Sequence, residues 1–235
     1  MKALWRSDIG NNRASNQDAL LTLEGEHPVY AVADGMGGHL GGDVASAMAV
    51  QGLRSLLAGQ VPHEERIRQV YDQISRDIYL RQQEDSALSG MGTTLTLLWE
   101  APERVYLGHV GDSRAYLLRG DSLYQVTQDH SLVGELLRTG VIDRDSARAY
   151  PYRNVITRAV GTEEKVQCDT LTMDKRPGDR WLLCSDGLSE YLDDEEMKSA
   201  LSGPDLGAAA DWLVSQALER GGRDNITLVL LEVAA

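Results

Sequence analysis

Short apolar runs bounded by Gly, Asp and Pro alternate along the chain with two longer stretches of helical period. Val29 to Ala33 is an unbroken apolar run ending on Asp34-Gly35, and Asp43 to Leu57 then places Val44, Ala47, Val50, Leu53 and Leu57 at helical spacing. This predicts a strand, a glycine-rich turn and a helix. Pro62 to Glu84 sets Ile67, Val70, Ile74 and Ile78 on one face with charges opposite, so a second long helix follows, with Pro62 suited to its start. From Thr93 the signal turns to strands at Thr94 to Trp99, Arg104 to Val110, Arg114 to Arg119 and Ser122 to Gln128, which predicts an antiparallel meander. Ser131 to Tyr152 mixes short helical pieces with Gly140 and Pro151 and is expected to be a partly helical surface insertion. Strands return at Val166 to Met173 and Arg180 to Ser185, a late helix at Pro204 to Arg220 and a closing strand at Ile226 to Val233. That order indicates α+β layers rather than a βαβ repeat, and no repeat or low-complexity linker divides the chain.

Composition changes this picture little. The 235 residues, 42% hydrophobic and 25% charged, can bury a core as one large domain. Charge is more informative: 23 Lys+Arg against 36 Asp+Glu give −13, the wrong sign for broad contact with nucleic acid. An anionic substrate would then need bound divalent cations to attract it. No run approaches the ~18 apolar residues of a membrane span, the first residues lack a secretory pattern, and Cys168 and Cys184 have no paired spacing. A reducing, cytoplasmic location is expected.

The candidate chemistry is positional. An Asp recurs at the margin of predicted strands beside a small or turn residue, in Asp34-Gly35, Asp112-Ser113, Asp186-Gly187 and Asp224-Asn225, and Asp18 precedes the run Ala19 to Leu23. Strand ends are rigid and can converge. Carboxylates brought together repel and raise one another's pKa unless cations hold them ionised, and oxygen-only ligands select Mg²⁺ or Mn²⁺ over zinc or copper. The competing reading is that Asp-Gly and Asp-Ser are common turn pairs. Other phosphate and hydrolase chemistries fail on the residues. Leu40 stands where a dinucleotide loop needs its last Gly, no Gly-Lys-Ser/Thr follows, neither Cys has an Arg six residues on, and Gly-x-Ser-x-Gly is absent.

The segments Arg13-Ala14-Ser15-Asn16-Gln17-Asp18, Ala31-Val32-Ala33-Asp34-Gly35-Met36-Gly37-Gly38-His39, Gly92-Thr93-Thr94, Val110-Gly111-Asp112-Ser113-Arg114, Ser185-Asp186-Gly187-Leu188 and Arg223-Asp224-Asn225 occur in this order. Together they resemble the bacterial metal-dependent Ser/Thr protein phosphatases of type 2C (PPM). The resemblance implies a four-layer α/β/β/α sandwich with two packed antiparallel-type sheets, one catalytic domain over 1–235 and a flap-like insertion at about 131–155. It implies hydrolysis of phosphoserine and phosphothreonine by in-line attack of a water bridging two Mg²⁺ or Mn²⁺ ions, with a third ion at a weaker site. By motif, Asp34 resembles the carboxylate bridging both ions, Gly35 lends its carbonyl to one, and Asp186 with Asp224 completes the other. Asp112, with Asp186, resembles the weaker third site, and Glu190 falls where some members place an acidic ligand for it. Asp18 resembles a partner of the attacking water and Arg13 the phosphate grip, for which a planar fork suits bidentate capture.

Family members of eukaryotic type place His directly after Asp-Gly, whereas here Met36 stands there and the histidine is His39. His39 is therefore a candidate general acid, beside the alternatives of an inert loop His and a proton taken from water. His109 and His130 are expected to be structural, and Arg114 to be an ion-pair partner near Asp112. The implied partners are phosphorylated proteins and a cognate bacterial Ser/Thr kinase, with no nucleic acid and a monomeric state. A catalytically weak binding domain and a small-molecule phosphatase on the same scaffold remain as alternative readings.

Overall fold

The computed structural model describes residues 1–37, 41–143, 146–147 and 150–234. The strands are β1 (Lys2–Asp8), β2 (Asp18–Leu23), β3 (Val29–Met36), β4 (Gly92–Thr93), β5 (Leu95–Glu100), β6 (Arg104–Val110), β7 (Arg114–Arg119), β8 (Ser122–Gln125), β9 (Asp169–Asp174), β10 (Arg180–Cys184) and β11 (Ile226–Glu232). The main helices among the described residues are α1 (Gly42–Leu57), α2 (Glu64–Glu84), α3 (Leu132–Arg138), α4 (Asp186–Ser189), α5 (Asp194–Leu201) and α6 (Leu206–Glu219). Successive side chains of a strand point to opposite faces, and here both faces of the central strands are buried. Along β3, Val29, Ala31 and Ala33 pack under α1 and α2, while Tyr30 and Val32 enter a second apolar layer. Along β11, Leu228 and Leu230 face α5 and α6, while Val229 and Leu231 enter that same second layer.

The described strands form two antiparallel sheets, ordered β1-β11-β10-β7-β8 and β2-β3-β5-β6-β9, with β4 on β3. Three apolar clusters fill the spaces between layers: α1–α2 against one sheet, sheet against sheet, and α5–α6 against the other. This is the four-layer α/β/β/α sandwich. Trp181 is fully buried between the sheets, so Trp181→Ala is expected to lower unfolding free energy by about 3–5 kcal/mol in urea titrations. No described helix is long and apolar enough to cross a membrane.

Four expectations change. The meander is divided: β5 and β6 pair in one sheet, but β7 pairs with β10 and β8 in the other. Alternation reports burial, not partner, so it could not reveal that the chain changes sheets at Gly111-Asp112-Ser113. In α1 the buried stripe is Ala45, Ala49, Leu53 and Leu57 rather than the valine face, because small residues let the helix lie close on β3. The second helix starts at Glu64, capped by His63, whose Nδ1 accepts the Arg66 N–H at 3.0 Å, leaving Pro62 outside. Strand β1 and helix α5 went unpredicted, although Asp193 and Glu196 form the capping box that announces the helix.

Candidate active site

The layer between the sheets is apolar at one end and polar at the other, and strand alternation carries the change. Asp34 lies two residues beyond Val32 on the inward face of β3 and is directly opposite Asp18 of β2. Carboxylates placed opposite each other on one sheet face repel. From the other sheet Ser185 follows inward Leu183, and Thr227 precedes inward Val229. Ser185 Oγ donates to Asp18 Oδ2 (2.8 Å) and accepts the Thr227 N–H (3.0 Å), while Thr227 Oγ1 lies 2.9 Å from Ser7 Oγ. One hydroxyl thus ties the Asp18 carboxylate across the gap between the sheets.

Turns bring the remaining carboxylates to this end. Asp186 opens α4 immediately after β10, and Asp224 precedes β11, the antiparallel neighbour of β10. A Cβ on Gly187 would stand 2.0 Å from Asn225 O, so only glycine lets α4 lie against this turn. Asn225 fixes the turn to the Arg13–Asp18 segment, accepting the Gln17 N–H (2.8 Å) and donating to Ser15 O (3.1 Å) and Ile9 O (2.9 Å). Asp34 is anchored through its backbone: its N–H donates to Thr94 Oγ1 (2.9 Å), which is 2.7 Å from Ser113 Oγ beside Asp112. Asp112 itself is buried in the turn where the chain changes sheets.

Burial and mutual repulsion perturb these groups in one direction. Burial, then the fields of Asp18, Asp186, Asp112 and Asp224, pushes Asp34 well above the ordinary carboxylate range. Burial, then Asp112, Glu190, Asp224 and Asp18, does the same to Asp186. Asp112 rises to about 7 through burial and the charge of Asp129, and Asp18 to about 6 chiefly through burial. The six acidic residues Asp18, Asp34, Asp112, Asp186, Asp224 and Glu190 therefore share one electrostatic neighbourhood. Glu190 stands at its rim, 3.5 Å from Arg153 Nε.

Three observations bear on whether cations fit here. Buried oxygens Oδ1 of Asp18, Asp112 and Asp186 have no hydrogen-bond partner, which is costly for a carboxylate without a counter-charge. A Cβ on Gly42 would stand 2.7 Å from Gly35 O, so the absence of a side chain there leaves the Gly35 carbonyl clear. Among the described residues no three His, Cys, Asp or Glu side chains form a ready-made ligand cage. Mg²⁺ keeps several waters when bound, so protein groups need supply only part of its coordination.

Arg13 Nη2 donates to Asp224 Oδ2 at 2.5 Å, with about half its side chain exposed. His39 lies outside the described residues. His109 is buried between Thr96 Oγ1 (2.9 Å) and Gln128 O (3.0 Å), and burial lowers its pKa to about 4. Arg114 does form an ion pair, with Asp129 at 2.6 Å. Sequence reasoning missed the roles of Ser185, Thr227, Asn225, Thr94 and Gly42. Of these, Ser185, Asn225 and Thr94 lie inside the motifs already singled out, and for Ser185 and Asn225 adjacency to an Asp was the available signal.

Known proteins are similar to this chain over nearly its whole length. The family model described as protein phosphatase 2C matches residues 8–217. The serine/threonine phosphatase stp of Listeria innocua is 40% identical, over 99% of this chain and 96% of its own. The crystal structure of serine/threonine phosphatase Stp1 from Staphylococcus aureus superposes with a TM-score of 0.94 at 32% identity, covering 100% of this chain and 95% of that one. That of the catalytic domain of the serine threonine protein phosphatase PstP, in complex with two manganese ions, gives 0.90 at 36% identity, covering 100% and 98%.

Proposed function

The chain belongs to the protein phosphatase 2C family, and on that premise we propose how its own residues divide the work of a metal-dependent protein serine/threonine phosphatase. It is an enzyme that removes phosphate from phosphorylated proteins with Mg²⁺ or Mn²⁺. In our reading Asp34, the Gly35 carbonyl, Asp186 and Asp224 would hold two ions, and Asp112 with Asp186 and Glu190 would serve a weaker third position. Such ions would supply Lewis-acid charge and lower the pKa of water at the site. The observation carrying this reading is the set of buried, unpartnered carboxylate oxygens at the polar end of the inter-sheet layer.

Asp18 keeps Oδ2 on Ser185 and leaves Oδ1 free to orient the attacking water. Arg13 presents a planar fork at the exposed mouth, where it grips phosphate oxygens as charge spreads over them in transfer. His39 is kept as the candidate donor of the proton that the leaving Ser or Thr oxygen needs. We read residues 1–235 as one catalytic domain with a flap at about 131–155, acting as a monomer in the cytoplasm against a bacterial Ser/Thr kinase.

Ser185→Ala removes the hydroxyl that fixes Asp18. It is expected to lower kcat about 10–100-fold with little change in KM, in a steady-state assay on a phosphothreonine peptide. The substrate class is tested by comparing phosphothreonine peptides with sugar phosphates at saturating Mn²⁺. Higher kcat/KM on the peptides is expected, and preference for the sugar phosphates contradicts the assignment.

A further inference from the structure

The turn carrying Asp112 is gripped on both sides by two consecutive residues at the root of the flap. On one side His130 Nδ1 accepts the Gly111 N–H (3.0 Å), and the His130 backbone N–H donates to Gly111 O (2.7 Å). On the other, Arg114 directs Nε and Nη2 to the Asp129 carboxylate at 3.0 and 2.6 Å. Because Nδ1 is occupied by a donor, the neutral imidazole carries its proton on Nε2, a tautomer assigned from the hydrogen-bond network. Nε2 lies 3.1 Å from Asp169 Oδ2; Arg158 Nη1, also 3.0 Å from Nε2, gives its two hydrogens to Gln167 O (3.0 Å) and the other oxygen of Asp169 (2.8 Å), so Asp169 is the acceptor for the Nε2 proton. His130 precedes the flap and Arg158 follows it. The flap's ends close on each other through Leu132 N–H to Val155 O (2.9 Å), Thr157 N–H to His130 O (2.8 Å) and a bridge between Ser131 and Ile156. Both ends thus converge on one carboxylate at the start of β9, and one of them also holds the Asp112 turn.

Gly111 adopts φ +109°, a conformation that only glycine occupies readily. Its peptide carries little torsional restraint of its own, so its orientation depends on what its N–H donates to. A buried imidazole is a rigid acceptor, and His109 packs beside it with ring centroids 4.8 Å apart. We propose that His130 is a positioning residue that fixes the Asp112 turn relative to the flap root, so that the weaker metal position and the flap are set together. This rests on the reading of Asp112 as a ligand of that position.

Three variants separate the bonds. Asn at position 130 places Oδ1 close to where Nδ1 stands and keeps the Gly111 bond, Gln reaches towards Asp169 and leaves Gly111 unbonded, and Ala makes neither contact. Mn²⁺ binding by calorimetry on the full chain, and exchange of the Gly111 amide by NMR in chelator, provide the readouts. His130→Gln and His130→Ala are expected to weaken the weaker Mn²⁺ step about tenfold and to speed Gly111 exchange, while His130→Asn keeps both near wild type. Equal impairment of the Asn and Gln variants, or unchanged Gly111 exchange in the Gln variant, overturns the proposal and leaves His130 a packing residue. Asp112→Asn is measured alongside. If it leaves Mn²⁺ binding unchanged, the ligand reading of Asp112 fails; if it weakens binding while His130→Gln does not, the coupling alone fails.

Discussion

Asp34→Asn is expected to lower kcat/KM on a phosphothreonine peptide by on the order of a thousandfold or more, since the lost charge stabilisation is several kcal/mol and each 1.36 kcal/mol is tenfold. The substitution keeps shape and removes charge at the point where the fields of Asp18, Asp186, Asp112 and Asp224 converge. The backbone bond from Asp34 N–H to Thr94 Oγ1 does not involve the altered group and is retained. The same variant should melt at a higher temperature than wild type in chelator, because it relieves repulsion between residues paired directly across β2 and β3. Activity and stability moving in opposite directions separates loss of a ligand from loss of the fold. A variant that is both inactive and less stable in chelator contradicts the assignment.

Chelation should make stability depend on pH with an unusual sign. Groups whose folded pKa is raised hold more protons folded than unfolded, so stability falls as pH rises. For Asp18 and Asp112 that contribution is fully present below about 3.8, the unfolded value, and is lost as pH passes about 6 for the first and about 7 for the second. Thermal melts in EDTA are therefore expected to rise from pH 7.5 to pH 5, apart from other titrations. Mn²⁺ at about 100 times its Kd stabilises by about 2.7 kcal/mol at neutral pH. The gain should shrink towards pH 5, where protons compete for the same oxygens. A Mn²⁺ gain independent of pH would place the ions on groups other than these carboxylates.

Much of this was legible in the chain because local rules and the site coincide. Asp34 and Asp186 stand where an apolar strand meets a turn, and a glycine follows each because another backbone passes within reach, Gly42 at Gly35 and Asn225 at Gly187. The ends of β3, β10 and β11 therefore announced themselves. What stayed hidden depends on partners far along the chain. Period-two alternation in β6 and β7 could not say that they belong to different sheets, so Asp112 read as a hairpin turn when it is a corner between sheets. Ser185 follows apolar β10 and Thr227 is a single hydroxyl in apolar β11; Ser185 adjoins Asp186, but nothing local indicates that it holds Asp18, 167 residues away. The buried stripe of α1 was misplaced because alanines carry little signal, yet alanines are what a close approach to β3 requires.

Asp34, Gly35, Asp186 and Asp224 are proposed to hold the ions that this enzyme uses. Anomalous diffraction at the manganese edge, from crystals equilibrated with Mn²⁺, tests this proposal most directly. Two strong peaks are expected at the polar end of the inter-sheet layer, both in contact with Asp34, one also with the Gly35 carbonyl and the other also with Asp186 and Asp224. Peaks that leave Asp34 without a manganese contact, or none at that end of the layer, would contradict that proposal.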